Sequence, residues 1–444
     1  MNVVTDRPLT IFIKYALPSV LGMIAVSSAS VVDGFFVGNY VGAIGLAAIN
    51  ISIPIFSLMF GLALMLAIGS SVIAGKLMAE GNVHSASMIF TKTFITMLIL
   101  STTLVTLLYL NIENMLTLFG ANKALIQITT IYLTYLLLFI PFLMVGIVLD
   151  YFVKIDSRPG LAFGALLASA LVNIILDWYL IMILNEGILG AALATGISQL
   201  ALIVLLLPHF FSKQATIHFV KPIGSWIEVI KAGVNGASEF VNEISVGITT
   251  LIFNYILIQA FGVDGIAAYT VVNYIIWVSI MVSFGISDSL QPIISKNFGA
   301  KEPERIKLFL TYAFIAVFLF GFVLSIITIL VPEIIIEMFL EKKDTHSIEI
   351  IYVFLALIWP AFLFNGSNMV ISAYFTAMHK PLPSATIAIL RSLILPILFI
   401  TLLPLFFEQK GIYLAIPFAE FFTFFIALFF LYRASPKHMI RAQL

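Results

Sequence analysis

Long apolar runs, broken by short clusters of Gly, Pro and charged residues, make up almost the whole chain. A helix that crosses a bilayer needs about 20 mostly apolar residues. Taking those clusters as breaks predicts twelve such helices, near 10–37, 44–74, 87–110, 124–152, 160–184, 188–211, 226–260, 265–295, 306–331, 347–377, 383–405 and 411–433. Several runs are longer than the bilayer requires, which implies tilt, kinks or extension beyond the lipid. The expected fold class is an all-α integral membrane protein.

Composition sharpens this. The chain is 61% hydrophobic and 10% charged, whereas soluble domains carry about 25% charged residues. An ordinary soluble enzyme is excluded. There are no cysteines, hence no disulfides and no thiolate metal sites. The six histidines are scattered and form no HExxH motif, so no metal site or cofactor is expected. No Walker motif is present to support ATP hydrolysis. No cleavable signal peptide is apparent, because 1–10 is polar and the apolar run after it continues far past a signal h-region.

The formal net charge of zero hides a strong asymmetry. Of the 22 Lys and Arg residues, only Lys123, Lys342, Lys343 and Lys410 fall on the side opposite the termini, and Arg391 falls within a span. Basic loops stay on the cytoplasmic side, so both termini are expected there. An internal repeat accompanies this topology. Gly42-Ala43-Ile44-Gly45-Leu46-Ala47-Ala48 aligns with Gly262-Val263-Asp264-Gly265-Ile266-Ala267-Ala268, Ile73 with Ile293 and Lys76 with Lys296. At a slightly larger offset, Gly187-Ile188 and Ala191 align with Gly411-Ile412 and Ala415. The expected organisation is an N-terminal six-helix lobe over 1–207, a cytoplasmic linker over 208–225 and a C-terminal six-helix lobe over 226–444. Two such repeats suit a transporter with alternating access.

Asp33, Asp177, Glu239, Glu243 and Glu420 each lie within a spanning stretch. A charge at the bilayer centre costs about 2.5–3.5 kcal/mol on insertion scales, so carboxylates there mark ion or substrate pathways by default. Asn173 and Asp177 are four apart and share a helix face. If that face meets Asp33, two carboxylates that cannot both ionise cheaply are brought together, which suits binding and release of a proton. The same oxygens suit Na⁺, a hard cation. Tyr132 and Tyr135 are both candidates to donate to a carboxylate. Glu239 and Glu243 repeat the four-residue spacing and are candidates for a substrate site or a second cation site. Glu420 is expected to pair with Arg391 and Asp150 with Lys154, both structurally, and Asp288 is expected near the interface. Pro18 lies on the helix of Asp33, where it favours a kink.

These residues carry a resemblance. Ala16-Leu17-Pro18-Ser19 through Val32-Asp33-Gly34-Phe35-Phe36-Val37-Gly38 looks like the first helix of the multidrug and toxic compound extrusion (MATE) family. Gln291-Pro292-Ile293-Ile294-Ser295-Lys296-Asn297-Phe298-Gly299-Ala300 is similar to that family's QPxxxxNxGA signature, and Asn173-Ile174-Ile175-Leu176-Asp177 to its NxxxD pattern. The chain resembles MATE transporters over essentially its full length, and most closely the prokaryotic DinF-like branch. The resemblance implies a V-shaped pair of six-helix lobes and export of amphiphilic, often cationic compounds in exchange for H⁺ or Na⁺. It adds Thr195 to the Asp33, Asn173 and Asp177 cluster. It also implies a bacterial plasma membrane location, with small amphiphilic drugs and the bilayer as partners, no nucleic acid, no enzyme activity and a monomeric state. A lipid-linked precursor flippase of the same superfamily is the alternative, but an anionic headgroup calls for several basic residues at membrane depth and only Arg391 qualifies.

Overall fold

The computed structural model describes residues 2–339 and 345–441. Lys342 and Lys343, two of the basic residues assigned to the outer side, lie outside the described residues. The spanning helices are α1 (Pro8–Tyr40), α2 (Ala43–Ala79), α3 (Val83–Tyr109), α4 (Lys123–Leu137 and Ile140–Ile155), α5 (Pro159–Ile183), α6 (Gly187–Phe211), α7 (Ala237–Gly262), α8 (Ala268–Gly299), α9 (Pro303–Leu330), α10 (Ile348–Ala377), α11 (Pro381–Phe407) and α12 (Gln409–Arg433). Eleven are long and apolar enough to cross a membrane as single helices. The twelfth, α4, is a pair bent by 46°. Its second half opens with Pro141 in the first turn, where the missing N–H costs nothing.

The repeat is written into the backbone. Gly42 and Gly262, aligned in sequence, both take positive φ, at 87° and 65°. Gly42 separates α1 from α2, and Gly262 kinks what is otherwise one continuous helix from Ala237 to Gly299. Further positive-φ residues recur at nearly the same interval, Gly81 with Lys301 and Ser157 with His379. Each closes a helix at corresponding points of the two halves.

The chain divides into two compact units. One comprises Leu17–Gly236 with the first few residues, and the other Val4–Ala16 with Ala237–Leu444. The segment expected as a cytoplasmic linker, 208–225, is fastened along the first unit. The Phe210 ring stacks on Phe90 at 4.4 Å, and Phe211 on Phe219 at 5.2 Å. Buried Asp156 accepts from the Thr216 N–H and lies 2.7 Å from Nε2 of His209. Lys92, almost fully buried, donates from Nζ to the Ser225 carbonyl at 2.8 Å and pairs with Glu228 at 3.2 Å.

The expected span over 226–260 therefore needs correction at its start. Ile227–Asn235 is a separate short helix packed on α2, and α7 begins at Ala237. The reason is steric. A Cβ on Gly69 would fall 1.9 Å from the Ala232 carbonyl oxygen, and one on Gly236 would fall 2.0 Å from that of Met65. Only two glycines allow the backbones to approach so closely.

In the second unit, Phe253, Tyr269, Phe354 and Tyr413 form a chain of rings at 4.8–6.0 Å. Ile11 and Tyr15, from the start of α1, are fully buried in this unit, and Phe12 meets Tyr312 at 6.0 Å. Arg305 donates from Nη2 to the Asp6 carbonyl at 2.7 Å and from Nε to Asn297 Oδ1 at 3.1 Å.

Candidate functional site

The first unit brings Asp33 of α1 and Asp177 of α5 face to face, close enough for one carboxyl to hydrogen-bond the other. Such a bond exists only while one of the two holds a proton. Asp177 is fully buried, and apart from that contact no protein group donates to its carboxyl oxygens. Tyr132 of α4 is buried within electrostatic range of both carboxyls. Tyr135, three residues further along the same helix, is 39% exposed. Asn173 is buried one turn before Asp177, and Thr195 is half-buried on α6, which packs against α5.

Local structure positions this pair. Directly after Asp177 the α-helix widens into a π-helical turn, Trp178–Ile183. Such turns interrupt the regular ladder and recur at functional sites. Among the described residues no group of three or more His, Cys, Asp or Glu is arranged to hold a metal ion. A Na⁺ at the pair would need neutral oxygens as further ligands, which Asn173 and Thr195 carry on the adjoining helices.

The second unit has a cavity of its own, where Glu239, Asp288, Gln291, Asn368 and Arg391 meet the apolar side chains of Phe284, Met369 and Ile387. Gln291 hydrogen-bonds Glu239, and Asp288, Glu243 and Arg391 lie within electrostatic range of Glu239. Oε1 of Gln291 and Oδ1 of Asn368 are buried acceptors without a protein donor. Asp288, expected near the interface, is instead 1% exposed inside the unit. Glu239, which has no basic residue nearby on its own helix, gains Arg391 from α11.

The expected pair of Arg391 and Glu420 is present, with Nε donating to Oε1 at 2.9 Å. Asn368 donates to the second carboxylate oxygen at 2.7 Å and Asn365 to the first at 3.4 Å. Arg391 sits on a second π-helical turn, Leu390–Ile394. Lys154 and Asp150 form a buried ion pair at 2.7 Å within α4. Gln291 and Asn368 in the cavity, and Asn365 on Glu420, are functional-site residues that the sequence does not mark out by charge. The signal available was two amides three residues apart within an apolar run.

Two six-helix units of one membrane protein, each with carboxylates gathered on adjoining helices, form the architectural class to which this chain belongs. It is a member of the MatE family, whose model matches residues 18–179 and again 239–402, once in each half. The chain is 23% identical over 392 residues to the multidrug export protein MepA of Staphylococcus saprophyticus, covering 87% of this chain and 85% of that one. It is 22% identical over 424 residues to MepA of Staphylococcus haemolyticus, covering 94% and 92%. The fold is shared with an outward-facing multidrug resistance MATE family transporter of the MOP superfamily, at a TM-score of 0.92, 19% identity and coverage of 99% and 97%. It is also shared with a MOP superfamily transporter from Pyrococcus furiosus, at a TM-score of 0.90, 19% identity and the same coverage.

Proposed function

We propose that this chain is a secondary active multidrug efflux transporter that exports amphiphilic, often cationic compounds in exchange for H⁺ or Na⁺ by alternating access. The observation that carries the reading is the Asp33–Asp177 pair. Two carboxyls at membrane depth, with no other protein donor to Asp177, are stable only with a proton or cation between them. That is the behaviour an antiporter needs. An ion entering from outside neutralises the pair, changes the environment of α1 and releases cargo. Release of the ion to the cytoplasm restores the drug-binding state. Membership of the MatE family and the names of the staphylococcal relatives support multidrug export. We place the protein in the plasma membrane, as a monomer with both termini cytoplasmic.

In this scheme Asp33, Asp177, Asn173 and Thr195 carry the coupling ion, and Tyr132 rather than Tyr135 is their aromatic neighbour. Glu239 and Glu243 act on substrate as hydrogen-bond acceptors rather than as a second coupling-ion site, because Arg391 already balances the charge beside Glu239. The test is transport of a cationic dye in proteoliposomes, with proton and sodium gradients imposed separately. Efflux driven by one of them and lost in Asp33→Asn supports the reading. Efflux that neither gradient drives rejects it.

A further inference from the structure

The second unit solves its charge problem differently from the first. Its cavity gathers Glu239 from α7 and Asp288 from α8, with Glu243 close to Glu239. Among the described lining residues one side chain is basic, Arg391. That guanidinium is built in. Its Nε is held by Glu420 of α12 at 2.9 Å, and guanidinium geometry leaves further donors on the same planar group. The π turn that presents it is tied to the helix of the cavity carboxylates. Ser392 donates to Asn242 Oδ1 at 2.7 Å, and Thr249 donates to the Ser392 carbonyl at 2.5 Å. The helix that carries Glu239 and Glu243 thus also fixes where Arg391 stands.

The first unit lacks this device at the matching place. Ser169 and Ser198 precede Arg391 and Glu420 by one and the same interval. There α5 and α6 are joined by a neutral bond, Ser169 Oγ to the Ser198 carbonyl at 2.7 Å. No Lys, Arg or His is among the groups acting on Asp33 and Asp177.

We propose that Arg391 is the second unit's tethered cation. It stands among Glu239 and its neighbours as a permanent counter-charge, so this cavity takes up no loose monovalent cation and ion exchange is left to the first unit. The last clause rests on the antiport reading above. Arg391 is in this sense a specificity-determining residue, and replacing it opens a cation site where none exists.

Binding of radioactive sodium at pH 8 tests this, on protein in nanodiscs carrying Asp33→Asn and Asp177→Asn so that only the second unit is read. With Arg391 intact, no sodium should bind. Replacing Arg391→Gln together with Glu420→Gln removes the ion pair without stranding either partner, and should create about one sodium site per chain that Glu239→Gln then abolishes. Arg391→Lys should remain without sodium. Bound sodium in the Arg391-intact protein that disappears with Glu239→Gln would overturn the proposal. So would a paired Gln variant that elutes as a monodisperse protein and gains no site. If the paired variant does not fold, the Arg391-intact protein with and without Glu239→Gln still decides. Failure of the antiport reading would show up elsewhere, as gradient-driven efflux retained by Asp33→Asn.

Discussion

At Asp177 a carboxyl sits fully buried with another carboxyl for company, and a single proton decides whether that contact is a bond or a repulsion. Asn has the shape of a protonated Asp but cannot give the proton up. Asp33→Asn is therefore expected to insert and fold while gradient-driven efflux falls about tenfold or more, and Asp33→Asn with Asp177→Asn should be little worse than either alone, since members of one unit are non-additive. Efflux rates normalised to membrane protein check this, and a double variant far below both singles would count against a shared role. Glu420 makes the opposite case. Its carboxylate holds Arg391, Asn365 and Asn368 together in a buried network. Glu420→Gln removes the one carboxylate that hydrogen-bonds the Arg391 Nε, and breaking a buried pair typically costs up to ~3–5 kcal/mol, so the thermal unfolding midpoint in detergent should drop by several degrees. Lys437→Ala also breaks an ion pair, the 2.8 Å contact with Glu304, but both side chains are 62% exposed. Its midpoint should stay where it was.

At the scale of elements, helix positions followed from the apolar runs, because in lipid each helix must satisfy its own backbone. What those runs could not show was how closely two helices approach. Gly69 and Gly236 look like any other glycines in sequence, yet between them they admit the Ile227–Asn235 helix onto α2. Gly69→Ala should force that helix off α2 and reduce the monodisperse yield in fluorescence-detected gel filtration. Gly247→Ala, with nothing within 4 Å of the added carbon, should not. The π turns were equally hidden, since no residue type encodes them. The Asn173–Asp177 spacing, by contrast, did predict a shared buried face, because periodicity fixes direction along a regular helix. The choice between Tyr132 and Tyr135 needed the burial that tertiary packing gives each of them.

Over the whole molecule, charge asymmetry carries the topology. Lys213 and Lys410 are both exposed and fall on opposite sides of the twelve-span scheme. Single cysteines at these positions, introduced into a chain that has none, should react with an impermeant maleimide from opposite faces, position 410 from outside intact cells. Reaction from the same face would require a different number of crossings. The repeat was legible in scattered glycines, but the place where one half ends was not. Polar composition marks 208–225 as a linker, and ring stacking and the Asp156 and Lys92 contacts bind that stretch to the first unit. The other misplaced border lies at the opposite end of the chain. Residues 4–16 are covalently the beginning of the first half and structurally part of the second. The two halves are therefore not interchangeable cassettes. A gene for 237–444 alone would encode an incomplete unit, missing the Ile11 and Tyr15 side chains buried in it, whereas 1–236 carries every residue of the first unit.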